Sequence, residues 1–125
     1  MTKLFFVLCF IVLSNIAFAD VCPTPKIIKD REISRDYEWT LDERKTLDDV
    51  LAVEQLYSVR IKNNGEFVAC YYSSPRGLLR LDGKPEKEGC SLKIKQGNWA
   101  SLETGEAICK EEKLALCHYE ISCGE

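Results

Sequence analysis

Six cysteines behind an export signal constrain this chain more than any other feature. The signal's own Cys9 is set aside with it, which leaves Cys22, Cys70, Cys90, Cys109, Cys117 and Cys123. An even count of this kind implies a disulfide framework made in an oxidising compartment, secreted or periplasmic. Spacing alone does not select a pairing. Zinc is the weaker reading, because there is no Cys-x-x-Cys pair and His118 is the only histidine. No metal or cofactor is expected.

The signal has three parts. Lys3 supplies the positive start, Leu4 to Leu13 the apolar stretch, and Ala17-Phe18-Ala19 the small-x-small cleavage site before Asp20. The apolar run is short and gives way to Ser14 and Asn15, which disfavours an uncleaved anchor. Asp20-Val21 precedes Cys22, which disfavours lipidation. Cleavage after Ala19 removes 19 of 125 residues, and the remainder, 20–125, has the size of one domain. The whole chain carries −3, and loss of Lys3 makes the remainder more acidic still. That balance argues against nucleic acid, and against anionic membrane as a partner after cleavage.

Leu56 to Tyr72, LYSVRIKNNGEFVACYY, reads as a β-hairpin. Asn63-Asn64-Gly65 supplies turn chemistry, since Asn and Gly tolerate positive φ. Tyr57, Val59 and Ile61 alternate with Ser58, Arg60 and Lys62. A two-residue turn at Asn64-Gly65 pairs Ile61 with Val68, Val59 with Cys70 and Tyr57 with Tyr72, all on one buried face. A three-residue loop turns Phe67, Ala69 and Tyr71 inward instead, because a slip of one residue flips every side chain. The first register is preferred, since it buries Cys70 where a partner sulfur can reach it.

Elsewhere the signals are shorter. Two prolines in Cys22–Pro25 favour extended chain, with a short strand starting at Ile27-Ile28. Lys29 to Asp36 reads as a solvated charged stretch. Tyr37-Glu38-Trp39 alternates like a half-buried strand, with Trp39 more simply core than ligand platform. Thr40 and Glu43 form a capping-box pattern for a short helix or turn over Leu41–Asp49, with a strand beginning between Val50 and Leu56. Ser73–Gly77 is a loop, Leu78–Leu81 a strand, and Asp82–Pro85 a turn extended to Gly89. Cys90, Leu92 and Ile94 face inward on another strand. Ala107–Cys109 is a short strand. Leu114–Cys123 is the last, with Cys117, Tyr119, Ile121 and Cys123 on one face. The expected fold is mainly β: a small antiparallel sandwich or curved sheet with at most one short helix.

Several of these residues together resemble a known set. Cys22-Pro23, Tyr37-Glu38-Trp39, a hairpin ending in Cys70-Tyr71-Tyr72, Trp99, and Cys109 separated by seven residues from Cys117-x-Tyr119 look like short secreted bacterial proteins catalogued only as a domain of unknown function. The resemblance implies an envelope or extracellular location and a small β-rich domain, and it brings no catalytic residues. Cys90 and Cys123 are additions to that pattern. If the other four cysteines pair among themselves, these two form the extra bridge.

No constellation for turnover stands out, so an enzyme is not expected. His118 alternates with Cys117 and points outward as an ordinary surface histidine. Asp48-Asp49 and Glu111-Glu112 are adjacent pairs that do not converge on a strand or helix. Gly83, Gly89, Gly97 and Gly105 read as isolated turn glycines. The expected function is a non-catalytic binding module for an unknown protein or small ligand, with Phe67 and Tyr71 as outward contact residues. Two other readings are an inhibitor of an extracellular protease that presents Arg76 in the Ser73–Gly77 loop, and a structural part of an envelope assembly.

Overall fold

The structure is a computed structural model and describes residues 20–124; the signal segment lies outside them. Its elements run α1 (Pro25–Lys29), β1 (Tyr37–Leu41), α2 (Leu47–Leu51), β2 (Gln55–Lys62), β3 (Phe67–Ser73), β4 (Leu79–Pro85), β5 (Cys90–Gln96), β6 (Trp99–Ser101), β7 (Ala107–Cys109), a 3₁₀ turn at Leu114–Leu116, and β8 (His118–Cys123). Six strands form one antiparallel sheet in the order β1-β4-β3-β2-β7-β6, and β5 pairs with β8 in a second. The fold is therefore mainly antiparallel β, with one short helix more than expected.

The two sheets share one core. Val59, Ile61, Val68, Cys70, Tyr72 and Leu81 from the large sheet meet Leu92 and Tyr119 from the small one. Leu92 N–H donates to the Gly65 carbonyl at 2.7 Å, which ties β5 to the β2–β3 turn. That turn opens into four residues, Asn63 to Glu66, and Asn63, Asn64 and Gly65 all take positive φ. Val59 faces Cys70 and Ile61 faces Val68, the pairing that buries Cys70.

The register then breaks between Leu56 and Ser58. Leu56 stands opposite Tyr72 and Tyr57 is pushed to the exposed side, so the expected Tyr57–Tyr72 pair does not form. A bulge is the reason: one extra residue on β2 reverses the facing of everything before it.

Three bridges are formed: Cys22–Cys70, Cys109–Cys117, and, within the β5–β8 ladder, Cys90–Cys123, the last being the pair the resemblance implies. The first two lie in the core. Cys123 is exposed and Cys90 half-buried, so the inward face expected for these two positions does not extend to the strand ends. Ile94 is likewise exposed, and burial on β5 stops at Leu92.

Local signals misplaced four segments. The start of a strand at Ile27 is a helix, because Thr24 Oγ1 accepts from Ile27 N–H and Pro25 occupies the first turn, where its missing N–H costs nothing. The capped helix begins later, at Thr46 with Asp49 closing the box, while Thr40 lies in β1. Asp82–Pro85 is strand rather than turn. Gly83 is there for space: a Cβ on it would sit 2.6 Å from the Trp39 ring. Finally, the chain from Leu114 makes a 3₁₀ turn before β8 starts at His118.

Candidate functional site

The outer face of the large sheet carries the most organised group of outward side chains, with Tyr57 and Arg80 exposed and Phe67, Tyr71 and Arg60 half-buried. β3 alternates, so burial of Val68, Cys70 and Tyr72 turns Phe67 and Tyr71 to the other face. Ladder pairing then fixes their neighbours. Tyr71 stands opposite Ser58 on β2 and Arg80 on β4, while Ala69 stands between Arg60 and Asp82.

Tyr71 lies between two guanidinium groups. Arg60 Cζ is 5.5 Å from its ring centroid and Arg80 Cζ 5.6 Å. Arg80 also lies 5.8 Å from the Phe67 ring, and the bulged Tyr57 sits 6.0 Å from Tyr71, centroid to centroid. Each arginine is attracted by the negative ring face, for about 0.5–1 kcal/mol at exposed sites. No second layer covers this face among the described residues.

The cations here are already paired. Arg80 donates to Asp82 from Nε at 2.7 Å and from Nη2 at 3.1 Å. Glu106 accepts Arg60 at 3.3 Å and Lys62 at 2.5 Å. The Lys62 hydrogen bond is the main reason the Glu106 carboxyl is held below its ordinary range. Arg60 and Lys62 share Glu106 and Arg80 pairs Asp82, so these five groups leave one net positive charge, far from the basic stripe that phosphate recognition uses. What remains is flat, aromatic and rich in arginine, the composition enriched where proteins meet.

Arg76 is placed elsewhere. Its Nε donates to Asp49 at 2.7 Å, and this bond, with Thr46 N–H, lowers the Asp49 pKa to about 2. The loop closes on itself: Arg76 N–H donates to Ser74 Oγ at 3.0 Å, and Gly77 N–H to the Ser74 carbonyl at 3.1 Å. Arg76 is therefore a tie between the β3–β4 loop and α2, and it is not brought together with Phe67 and Tyr71.

Other candidates also resolve. Trp39 packs against the core and donates from its indole to the Ser34 carbonyl at 2.9 Å. His118 is half-buried, and its Nδ1 is shielded from solvent with no partner, in contrast to the exposed histidine expected. The turn after β5 packs against the chain just before His118: a Cβ on Gly97 would sit 2.8 Å from the Leu116 carbonyl oxygen. Among the described residues no cluster of three or more His, Cys, Asp or Glu side chains is arranged to hold a metal, and no helix is long and apolar enough to cross a membrane.

The sequence placed Phe67 and Tyr71 on the outer face but did not join Tyr57, Arg60 and Arg80 to them. Arg60 was legible as an outward β2 residue. Arg80 was not, because only β3–β4 pairing brings it beside Tyr71. No family model matches the chain, and neither a curated protein nor a solved structure matches it. The resemblance to secreted bacterial proteins therefore rests on the residues quoted for it.

Proposed function

We propose that this chain is an exported, non-catalytic binding module whose contact surface is the outer sheet face centred on Tyr71. One observation carries the reading: Tyr57, Phe67, Tyr71, Arg60 and Arg80 form one contiguous group on an uncovered face, although none of the three aromatics is needed to fill the core. Their backbones belong to three paired strands, so the surface is ordered before any partner arrives, which lowers the cost of binding. The three disulfides agree with residence in an oxidising compartment, periplasmic or extracellular. The pairing of each cation with a carboxylate favours a protein partner over nucleic acid. The Arg76–Asp49 pair and the closed loop count against presentation of Arg76 to a protease.

The test compares the wild type with a Phe67→Ser/Tyr71→Ser variant. Each is immobilised and exposed to envelope or host extracts at micromolar concentration. The wild type should retain a partner that the variant loses, while circular dichroism shows both folded. Equal retention by both, or none by either, would count against this face.

A further inference from the structure

The Cys90–Cys123 bridge differs from the other two in where it lies. Cys22 and Cys70, 2% and 0% exposed, sit in the core, as do Cys109 and Cys117 at 7% and 0%. Cys90 and Cys123 instead face each other at the open end of the β5–β8 ladder, with Cys123 exposed. Two adjoining concavities reach the bridge. One, of about 450 Å³, is lined by Asp36, Pro85, Glu86, Lys87, Ile121 and Cys123. The other, of about 290 Å³, shares Pro85, Glu86 and Lys87 and reaches Cys90. A small molecule can thus approach either sulfur without opening the core, and neither sulfur lies on the sheet face that carries Tyr71.

We infer that Cys90–Cys123 is a thiol–disulfide exchange site for low-molecular-weight thiols. Exchange requires a thiolate to reach one sulfur of the bridge, so access decides which bridge reacts. The incoming thiolate attacks the exposed Cys123 Sγ. A new S–S bond forms there as the Cys123–Cys90 bond breaks, and Cys90 leaves with the electron pair and is protonated from water. The product carries the small thiol on Cys123. A second thiolate attacks the sulfur of that small-molecule half, releases a small disulfide, and leaves Cys123 as a thiolate. Two small thiols are oxidised and the protein bridge is reduced, two electrons in balance.

The consequence for the fold is local. Leu92 and Tyr119, further along the same ladder, stay anchored in the core, and Asp20 remains hydrogen-bonded to Tyr119 through both backbone groups. Opening the bridge therefore frees the strand ends and leaves both layers in place. Reaching either core bridge requires at least local unfolding.

The test is peptide mapping of the folded protein after graded exposure to glutathione and an alkylating quench. Cys90 and Cys123 should open at least about tenfold faster than either core pair, with a glutathionyl group found first on Cys123 and circular dichroism unchanged. Opening of a core pair at the same rate, an adduct first on Cys90, or no opening short of unfolding would overturn the assignment. A Cys90→Ser/Cys123→Ser variant should fold with its two remaining bridges and take up no glutathione. Failure of that variant to fold would show the bridge to be structural, and would overturn the inference as well.

Discussion

Gly83 shows how a single missing side chain sets the position of a neighbouring strand. Its backbone faces Trp39 across the β1–β4 ladder, and the indole ring lies over the Cα. Gly83→Ala would bring a Cβ to 2.6 Å from that ring, so Trp39 has to swing and its bond to the Ser34 carbonyl is lost. The expected cost is about 1–3 kcal/mol, typical of forced overpacking, read from urea unfolding. Trp39→Leu in the same background should recover part of it, because the two side chains compete for one space. Asp49 gives a second residue-scale prediction, on pH. Its carboxyl titrates at about 2 in the fold, held down first by Arg76 and then by Thr46 N–H, against about 3.9 in an unfolded chain. A depressed carboxyl contributes stability that is complete above the unfolded value and lost as pH falls through the folded one. The stability difference between wild type and Asp49→Asn should therefore be constant above about pH 5 and shrink toward pH 2. Asp42, also at about 2, is present in both proteins and cancels. A difference that stays constant down to pH 2 would rule out the ion pair as its source.

Elements were legible wherever the chain carried its own punctuation. The β2–β3 hairpin could be read because Asn-Asn-Gly separates two alternating runs, and β7 because its apolar triplet lies between charged turns. Outward placement of Phe67 and Tyr71 followed from that register alone. What was not legible depended on contacts distant in sequence. Asp82-Gly83-Lys84-Pro85 has turn composition, but Gly83 serves Trp39, over forty positions earlier, and Pro85 ends the strand, where a missing donor is tolerated. The bulge at Tyr57 was hidden because Leu56 and Tyr57 are both apolar and either suits the inner face. At the start of α2, Thr40 and Thr46 offer equal capping patterns, and the sheet took the first. The cap that formed can be tested. Thr46 accepts Asp49 N–H while the Asp49 side chain accepts Thr46 N–H, so Thr46→Ala removes the side-chain half of the box and loosens the carboxylate that Arg76 ties to its loop. A loss of about 1 kcal/mol is expected, with faster amide exchange confined to α2 and the Ser74–Gly77 loop. Exchange quickening equally in β2 would mean the helix is coupled to the sheet and is not a local unit.

At the scale of the whole molecule, the bridges should rank by what they enclose and where they lie. A domain of this size has a margin of about 5–15 kcal/mol, so one bridge is a large share of it. Cys22–Cys70 closes a separation of 48 residues and Cys109–Cys117 one of 8. Loop-closure entropy assigns about 4 kcal/mol to the first and about 2.5 kcal/mol to the second. The first bridge also fastens the N-terminal segment, where Tyr72 donates to the Pro23 carbonyl at 2.6 Å and Tyr37 to the Asp20 carboxylate at 2.5 Å. Both hydroxyls are buried against ionisation, so their pKa values rise and they remain donors at any ordinary pH. Without the Cys22–Cys70 link these contacts and the two Asp20–Tyr119 backbone bonds have to hold the segment, at about 1 kcal/mol each. Double serine variants of each core bridge, unfolded in urea, should thus separate. Cys22→Ser/Cys70→Ser should lose the greater part of the stability and release residues 20–23 to rapid exchange, whereas Cys109→Ser/Cys117→Ser should remain folded with a lower midpoint and an unchanged slope. Equal losses would mean that core packing and not chain closure sets the contribution of each bridge, and the inverse order would show that the N-terminal segment is held mainly by its tyrosines.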